Sequence, residues 1–273
     1  MTRRTLLTAL FLLAPSVVHA QVAGETGSSK WLLEDARGSF CIWYLADPAI
    51  APKLAPKGTV LTAAGTGAGL PPAVVRVIRD EPQFAAWIPA VICVGRYGAV
   101  TIDGETAGRA RADRSILLMT HAIAAAAPRG QSGAAYYLLE FSTDNGNVAR
   151  LAEAVGIRVE RRELDIAPPR GGPDSIMTVR IEKARLIWSG HPTGDSRVEA
   201  TQPMSFGLAG LRTSSWRVDA GFAPDTSRLV VGQLRVEGKD DLAKALKASP
   251  IRWVGPILAG GRGEWQFTRG GNH

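Results

Sequence analysis

Along most of the chain, apolar residues recur at every second position or gather in short runs bounded by glycine, proline and aspartate, which is the pattern of strands. The run 39–45, with Phe40, Ile42, Trp43 and Tyr44, is rich in aromatic and β-branched residues and stops at Asp47-Pro48. Strands are predicted next at 74–78, 87–94, 99–102 and 136–141; 116–123 also reads as a strand, although its alanine-rich end fits a helix equally well. Further strands fall at 176–181, 184–188, 214–218, 229–236, 253–258 and 264–268.

Helical spacing is confined to short stretches. A short helix over 49–54 is closed by Pro56-Lys57-Gly58. The stretch 144–155 has Asp144 or Asn145 as a cap, Val148, Leu151, Ala152 and Val155 on one face, and Gly156 as a stop. Another helix is predicted over 240–247, with Leu242, Ala245 and Leu246 inward. After Gly156 the alternation resumes, with Arg158, Glu160 and Arg162 interleaved with Val159 and Arg161. The fold class is therefore mainly β with short helices (α+β), a curved antiparallel sheet or closed barrel-like system.

The first twenty residues break this pattern. A short basic start, Arg3-Arg4, precedes an apolar stretch over 6–14 and small residues ending at Ala20, the order of a cleavable signal peptide. The apolar stretch is well short of the ~20 residues that cross a bilayer, and no later segment is apolar for long enough to span one. The expected organisation is a signal peptide over 1–20, a small polar N-terminal tether over 21–38 and a single β-rich domain over 39–273, in a periplasmic or secreted protein.

Composition changes this picture little. Loss of Arg3 and Arg4 lowers the net charge from +7 to +5, too dilute for nucleic acid, and no basic run with interleaved aromatics appears. The 2 cysteines, Cys41 and Cys93, point in an exported chain to one disulfide, or, since both sit in apolar runs, to two buried thiols. Spacing along the chain leaves that choice open.

Motifs for chemistry are sparse. The glycine cluster 65–69 lacks the lysine and hydroxyl residue of a phosphate loop and reads as a plain loop. No zinc-ligand spacing occurs, and His121 lies in an apolar run, where a core histidine bonded to backbone is the ordinary outcome. Gly130-Gln131-Ser132-Gly133 lacks the spacing of a nucleophile elbow. Glu140 and Glu160, like the other scattered carboxylates, default to solvated surface, and no metal or cofactor is called for.

Three segments together resemble the acetoacetate decarboxylase-like family. Residues 40–58 follow the family's strand, short helix and proline-glycine turn through Asp47-Pro48 and Pro56-Lys57-Gly58. Residues 136–166 carry Tyr137-Leu138-Leu139, then Thr143-Asp144-Asn145, a helix and Val155-Gly156-Ile157-Arg158-Val159, where the family has a strand, a helix and a WGxPK pattern. Leu242-Ala243-Lys244-Ala245-Leu246 is similar to the family's last helix.

The resemblance implies a cone-shaped β-barrel-like fold around a pocket. In the family, a lysine of lowered pKa forms a Schiff base with a keto acid. Matching Gly156 to the motif glycine puts Val159 at the lysine, and valine forms no imine. The first expectation is thus a non-decarboxylating member that binds a small organic ligand, a carboxylate for instance, through Ile157, Arg158, Val159 and Glu160: Arg158 as charge partner, Ile157 and Val159 as wall, Glu160 orienting the arginine. The alternatives are an enzyme of the same fold, of lyase or hydratase type, using a displaced lysine such as Lys183 or imine-free chemistry, and an envelope interaction protein. A homo-oligomer is compatible with each.

Overall fold

The computed structural model describes residues 28–66, 70, 72–109, 115–126, 135–167, 175–181, 184–197, 204–211, 214–222, 228–239, 241–248 and 250–269. The stretch 1–20 expected to be a leader, residues 130–133 with Ser132, and Lys183 lie outside them.

The spine is β1 (Ser28–Ala46), which pairs antiparallel along nearly its whole length with β14 (Ile251–Arg269). Its other edge is shared by two partners. Residues 31–34 pair with β3 (Ala99–Ile102), and residues 40–46 pair with β2 (Ile88–Tyr97). Between them Gly98 donates its N–H to the carbonyls of Glu34 and Asp35, and Asp35 takes a left-handed φ of 52°. A side chain at Gly98 would meet Asp35 at under 3 Å, so glycine is needed at this close approach.

The tether expected over 21–38 thus gives way to a strand at Ser28. Trp31 and Leu33 alternate inward and are fully buried, a signal masked by the flanking serine, lysine, aspartate and glycine.

From β2 the sheet continues antiparallel through β5 (Ile116–Ala125) and β6 (Ala135–Thr143). β5 is strand throughout, because β2 and β6 flank it and complete its ladders. At its other edge β6 runs parallel to β11 (Met204–Leu211), which pairs with β12 (Ser214–Phe222), and β12 pairs with the last part of β14. Following these pairings, β1, β2, β5, β6, β11, β12 and β14 lead back to β1. β13 (Arg228–Glu237), β10 (Ala184–Arg197), β9 (Ser175–Ile181) and β8 (Leu164–Ala167) extend the sheet from β14, and β4 (Glu105–Arg109) extends it from β3. The two-residue β7 (Glu160–Arg161) lies parallel to the end of β6.

Four α-helices are described, and none is long and apolar enough to cross a membrane. α1 (Ala51–Leu54) follows the Asp47-Pro48 turn. α2 (Pro72–Asp80) stands where a strand was expected over 74–78. Its valines and isoleucine suggested a strand, but Val74, Val77 and Ile78 fall on one helical face, and Pro72 suits the first turn. α3 (Gly146–Ala154) is capped by Asn145, whose Oδ1 accepts from the N–H groups of Asn147 and Val148, while Asp144 instead accepts from the Leu117 N–H. Gly156, with φ 80°, ends it. α4 (Asp241–Ala248) buries Ala243 and Leu246, whereas Ala245 is only half-buried.

Three differences at the strands have local causes. β4 and β11 carry glycines that hide their strand character, and β14 is one strand where two were expected, carried through its glycines by β1 alongside. Cys41 and Cys93 stand opposite each other in the β1–β2 ladder, with Cα atoms 3.9 Å apart, and are joined by a disulfide. The core on one face of β1 centres on Trp31, Phe141 and Trp265, with ring centroids 5.4 to 6.4 Å apart, and on Trp43 against Tyr136 at 5.6 Å.

Candidate functional site

The other face of the same strands carries polar groups in its interior. Residues directly opposite across an antiparallel ladder share a face. The registers place Ile42, Ile92, His121 and Glu140 in one row across β1, β2, β5 and β6. Tyr44, two residues beyond Ile42, points to the same side and reaches back to His121, with Oη 2.7 Å from Nε2. Tyr44 also packs on Trp253, ring centroids 5.2 Å apart.

Both members of this pair are buried. Burial disfavours the charged forms, so the His121 imidazolium pKa is pushed down to about 4 and the Tyr44 phenol pKa is raised well above its ordinary value. Both side chains are therefore neutral at physiological pH.

Glu140 begins a chain of charges that runs outward. Its Oε1 accepts from Ser142 Oγ at 2.5 Å and lies 2.8 Å from Arg162 Nε. Arg162 Nη2 reaches Glu160 Oε2 at 2.9 Å, and Arg158 Nη2 reaches Glu160 Oε1 at 3.2 Å. Two local features bring Arg162 here: β7 runs parallel to β6, pairing Ser142 with Glu160, and the Arg162 N–H then donates to the Thr143 carbonyl.

The four residues expected to contact ligand divide by parity. Ile157 and Val159 turn into the core. Arg158 is the outermost of the group, its side chain 71% exposed, with Glu160 next at 40%. Arg162 is 31% exposed and Glu140 only 15%. The cation nearest the interior on this segment is therefore Arg162.

Sequence reading assigned Glu140 to the solvated surface and His121 to a backbone partner; the structure gives Glu140 a largely buried ion pair and His121 a tyrosine. The available signal was a histidine at an inward position of a strand whose only other polar residue is Thr120. Its partner, 77 residues away, required the register of two ladders.

Every lysine whose side chain is described, namely Lys30, Lys53, Lys57, Lys239, Lys244 and Lys247, is exposed. Among the described residues, no group of three or more His, Cys, Asp or Glu could hold a metal ion.

By sequence, no family model and no curated protein matches the chain. Solved structures do. An acetoacetate decarboxylase from Legionella pneumophila superposes with a TM-score of 0.53 at 11% identity, covering 90% of this chain and 88% of that one. The enduracididine biosynthesis enzyme MppR, in a structure complexed with pyruvate, superposes with a TM-score of 0.50 at 10% identity, covering 95% and 94%. The fold is acetoacetate decarboxylase-like. At such identities the likeness speaks for the backbone only, and the chemistry of this chain has to come from its own side chains. Val159, the residue that the motif matches to the family's lysine, is buried beside Ile157.

Proposed function

We propose that this is an exported acetoacetate decarboxylase-like protein that binds a small organic carboxylate in a pocket enclosed by its sheet, without decarboxylation through an imine. The observation that carries this reading is the placement of Arg162. A guanidinium oriented by Glu140 and Glu160 and one-third open to solvent is suited to meet a ligand carboxylate in a fork geometry. The described lysines, in contrast, are all exposed, whereas an imine-forming lysine is activated in a desolvated pocket or beside another cation.

An enclosed pocket is supported by the strand path that returns to β1. Within it, Ile157 and Val159 back the wall, and Arg158 with Glu160 forms a charged rim that holds Arg162. Export is supported by the leader over 1–20 and by the Cys41–Cys93 bridge, which suits an oxidising compartment.

The test is to treat the exported protein with pyruvate, then with borohydride, and to record intact mass, with a thermal-shift series in pyruvate alongside. The reading expects a pyruvate-dependent rise in Tm and no covalent adduct. A stoichiometric adduct on a lysine, Lys183 above all, would replace it with that of an imine-forming enzyme of the same fold. No rise in Tm would remove the ligand class.

A further inference from the structure

We propose that the connection between β1 and β2, residues 47–87, is a docking face for an anionic phospholipid bilayer, on which the protein sits peripherally. This face and Arg162 lie at opposite ends of the sheet, so the two sites are independent of each other.

The connection folds as one cap. It leaves β1 after Ala46 and enters β2 at Ile88, the pair that ends the β1–β2 ladder. Within it the 3₁₀ turns Ala64–Thr66 and Pro82–Ala86 pack on each other and on α2. The Ala64 N–H donates to the Trp87 carbonyl at 2.8 Å, and a side chain at Gly65 would meet Ala85 at 3.1 Å. The stretch before these turns is tied to the sheet, since the Ala126 N–H, just past β5, donates to the Val60 carbonyl at 2.7 Å.

Two kinds of side chain mark its outer surface. Among the described residues, the large hydrophobic side chains that stand exposed are Val60, at 68%, and Val75, at 51%, and both belong to this cap. Val75 occupies the outward side of α2 beside the exposed Arg76, whereas Val74 is fully buried. Lys53 and Lys57 are exposed as well, and among the described residues no ion pair engages Lys53, Lys57 or Arg76. The acidic residues of the cap are committed elsewhere: Asp80 pairs with Arg79, Glu81 pairs with Arg252 of β14, and Asp47 accepts from the Ala49 N–H.

A soluble anion would meet these cations and leave the valines in water. An anionic bilayer satisfies both, because phosphates meet the cations while the valines enter the boundary between headgroups and acyl chains. The ladders also keep the cap away from Arg162. Ala135, which pairs with Ala125, is at the cap end of β6, whereas Arg162 is bonded to Thr143 at its other end. The 9 residues of β6 put about 27 Å between them.

The experiment is co-sedimentation of the purified protein with vesicles of phosphatidylglycerol and phosphatidylethanolamine, and with vesicles of phosphatidylcholine alone, in low and high salt. Wild type should partition onto the first and not the second, and high salt should release it. Lys53→Gln/Lys57→Gln/Arg76→Gln should weaken partition on the order of a hundredfold, at about fivefold per cation. Val60→Asp/Val75→Asp should weaken it by about tenfold or more. Arg109→Gln/Arg150→Gln/Arg161→Gln removes the same charge from exposed positions on β4, α3 and β7, toward the far end, and should change it by less than about threefold. Hydrogen exchange on wild type needs no variant: the amides of 59–81 should gain protection on phosphatidylglycerol vesicles, and those of β4 should not.

Equal partition onto the two kinds of vesicle, an equal loss in the far-end variant, unchanged partition of the valine variant, or no added protection over 59–81 would overturn the inference. Self-association without lipid that Val60→Asp/Val75→Asp abolishes would also overturn it, by making the face an interface between copies of the chain. Pyruvate binding at Arg162 is read separately, and neither result decides the other.

Discussion

Acidification should unfold this protein partly through a single side chain. His121 is buried, with its pKa pushed down to about 4 by desolvation, whereas in the unfolded chain it titrates near its ordinary value of 6.5. The folded pKa is below the unfolded one, so between these values the unfolded chain binds more protons and stability falls as pH falls. The contribution is intact above pH 6.5, erodes on the way down and is lost by pH 4. Linkage puts the loss at about 2 kcal/mol by pH 5 and about 3 kcal/mol by pH 4, relative to pH 7. That is a large share of the ~5–15 kcal/mol by which a domain is stable.

The assay is urea unfolding followed by tryptophan fluorescence at pH 7, 6, 5 and 4, for wild type and His121→Gln. Glutamine can still meet the Tyr44 hydroxyl but does not titrate. Every other ionisable group is common to the two proteins, so the His121 contribution is the difference between the two curves. Wild type should lose about 2 kcal/mol more than His121→Gln between pH 7 and pH 5. Parallel curves would refute the reasoning, because they would mean that His121 is solvated or already charged in the folded protein.

Other outcomes follow from the same structure. The Cys41–Cys93 bridge closes a loop of sequence separation 52, and the double variant Cys41→Ser/Cys93→Ser should lose about 2–4 kcal/mol in urea unfolding under oxidising conditions, with no further loss on adding reductant. Asn145→Ala removes the acceptor for two N–H groups at the start of α3 and should cost about 1 kcal/mol, read by chemical denaturation. Glu81 pairs with Arg252 between the residue after α2 and β14, but both are more than one-third exposed. Glu81→Gln should accordingly change stability by less than about 1 kcal/mol, and the change should shrink further in high salt.

What was legible in the sequence was what local rules decide. α3 could be read off because its cap, its apolar face and its stop all lie between Asn145 and Gly156. The strand run through Ile42, Trp43 and Tyr44 carries its own alternation. α2 was misread because Val74, Val77 and Ile78 are residues favoured in strands, and only their spacing marks a helical face. The start of β1 was missed because its pairing with β14 and β3, not its composition, makes it a strand.

The site was less legible for a related reason. Tyr44, His121, Glu140 and Arg162 come from β1, β5, β6 and the turn after β7, and no short stretch of chain contains two of the four. Only the ladder registers bring them to one face. The family resemblance directed attention to Arg158 and Val159, four and three residues before the cation that the β6–β7 pairing carries inward.

The central claim is that Arg162 receives a carboxylate, and a calorimetric titration of the purified protein with pyruvate, with Arg162→Gln in parallel, tests it most directly. The account predicts saturable binding by wild type and a loss of about tenfold or more in Arg162→Gln, as expected for removal of a charge-assisted bidentate contact. Equal affinities in the two proteins would contradict it.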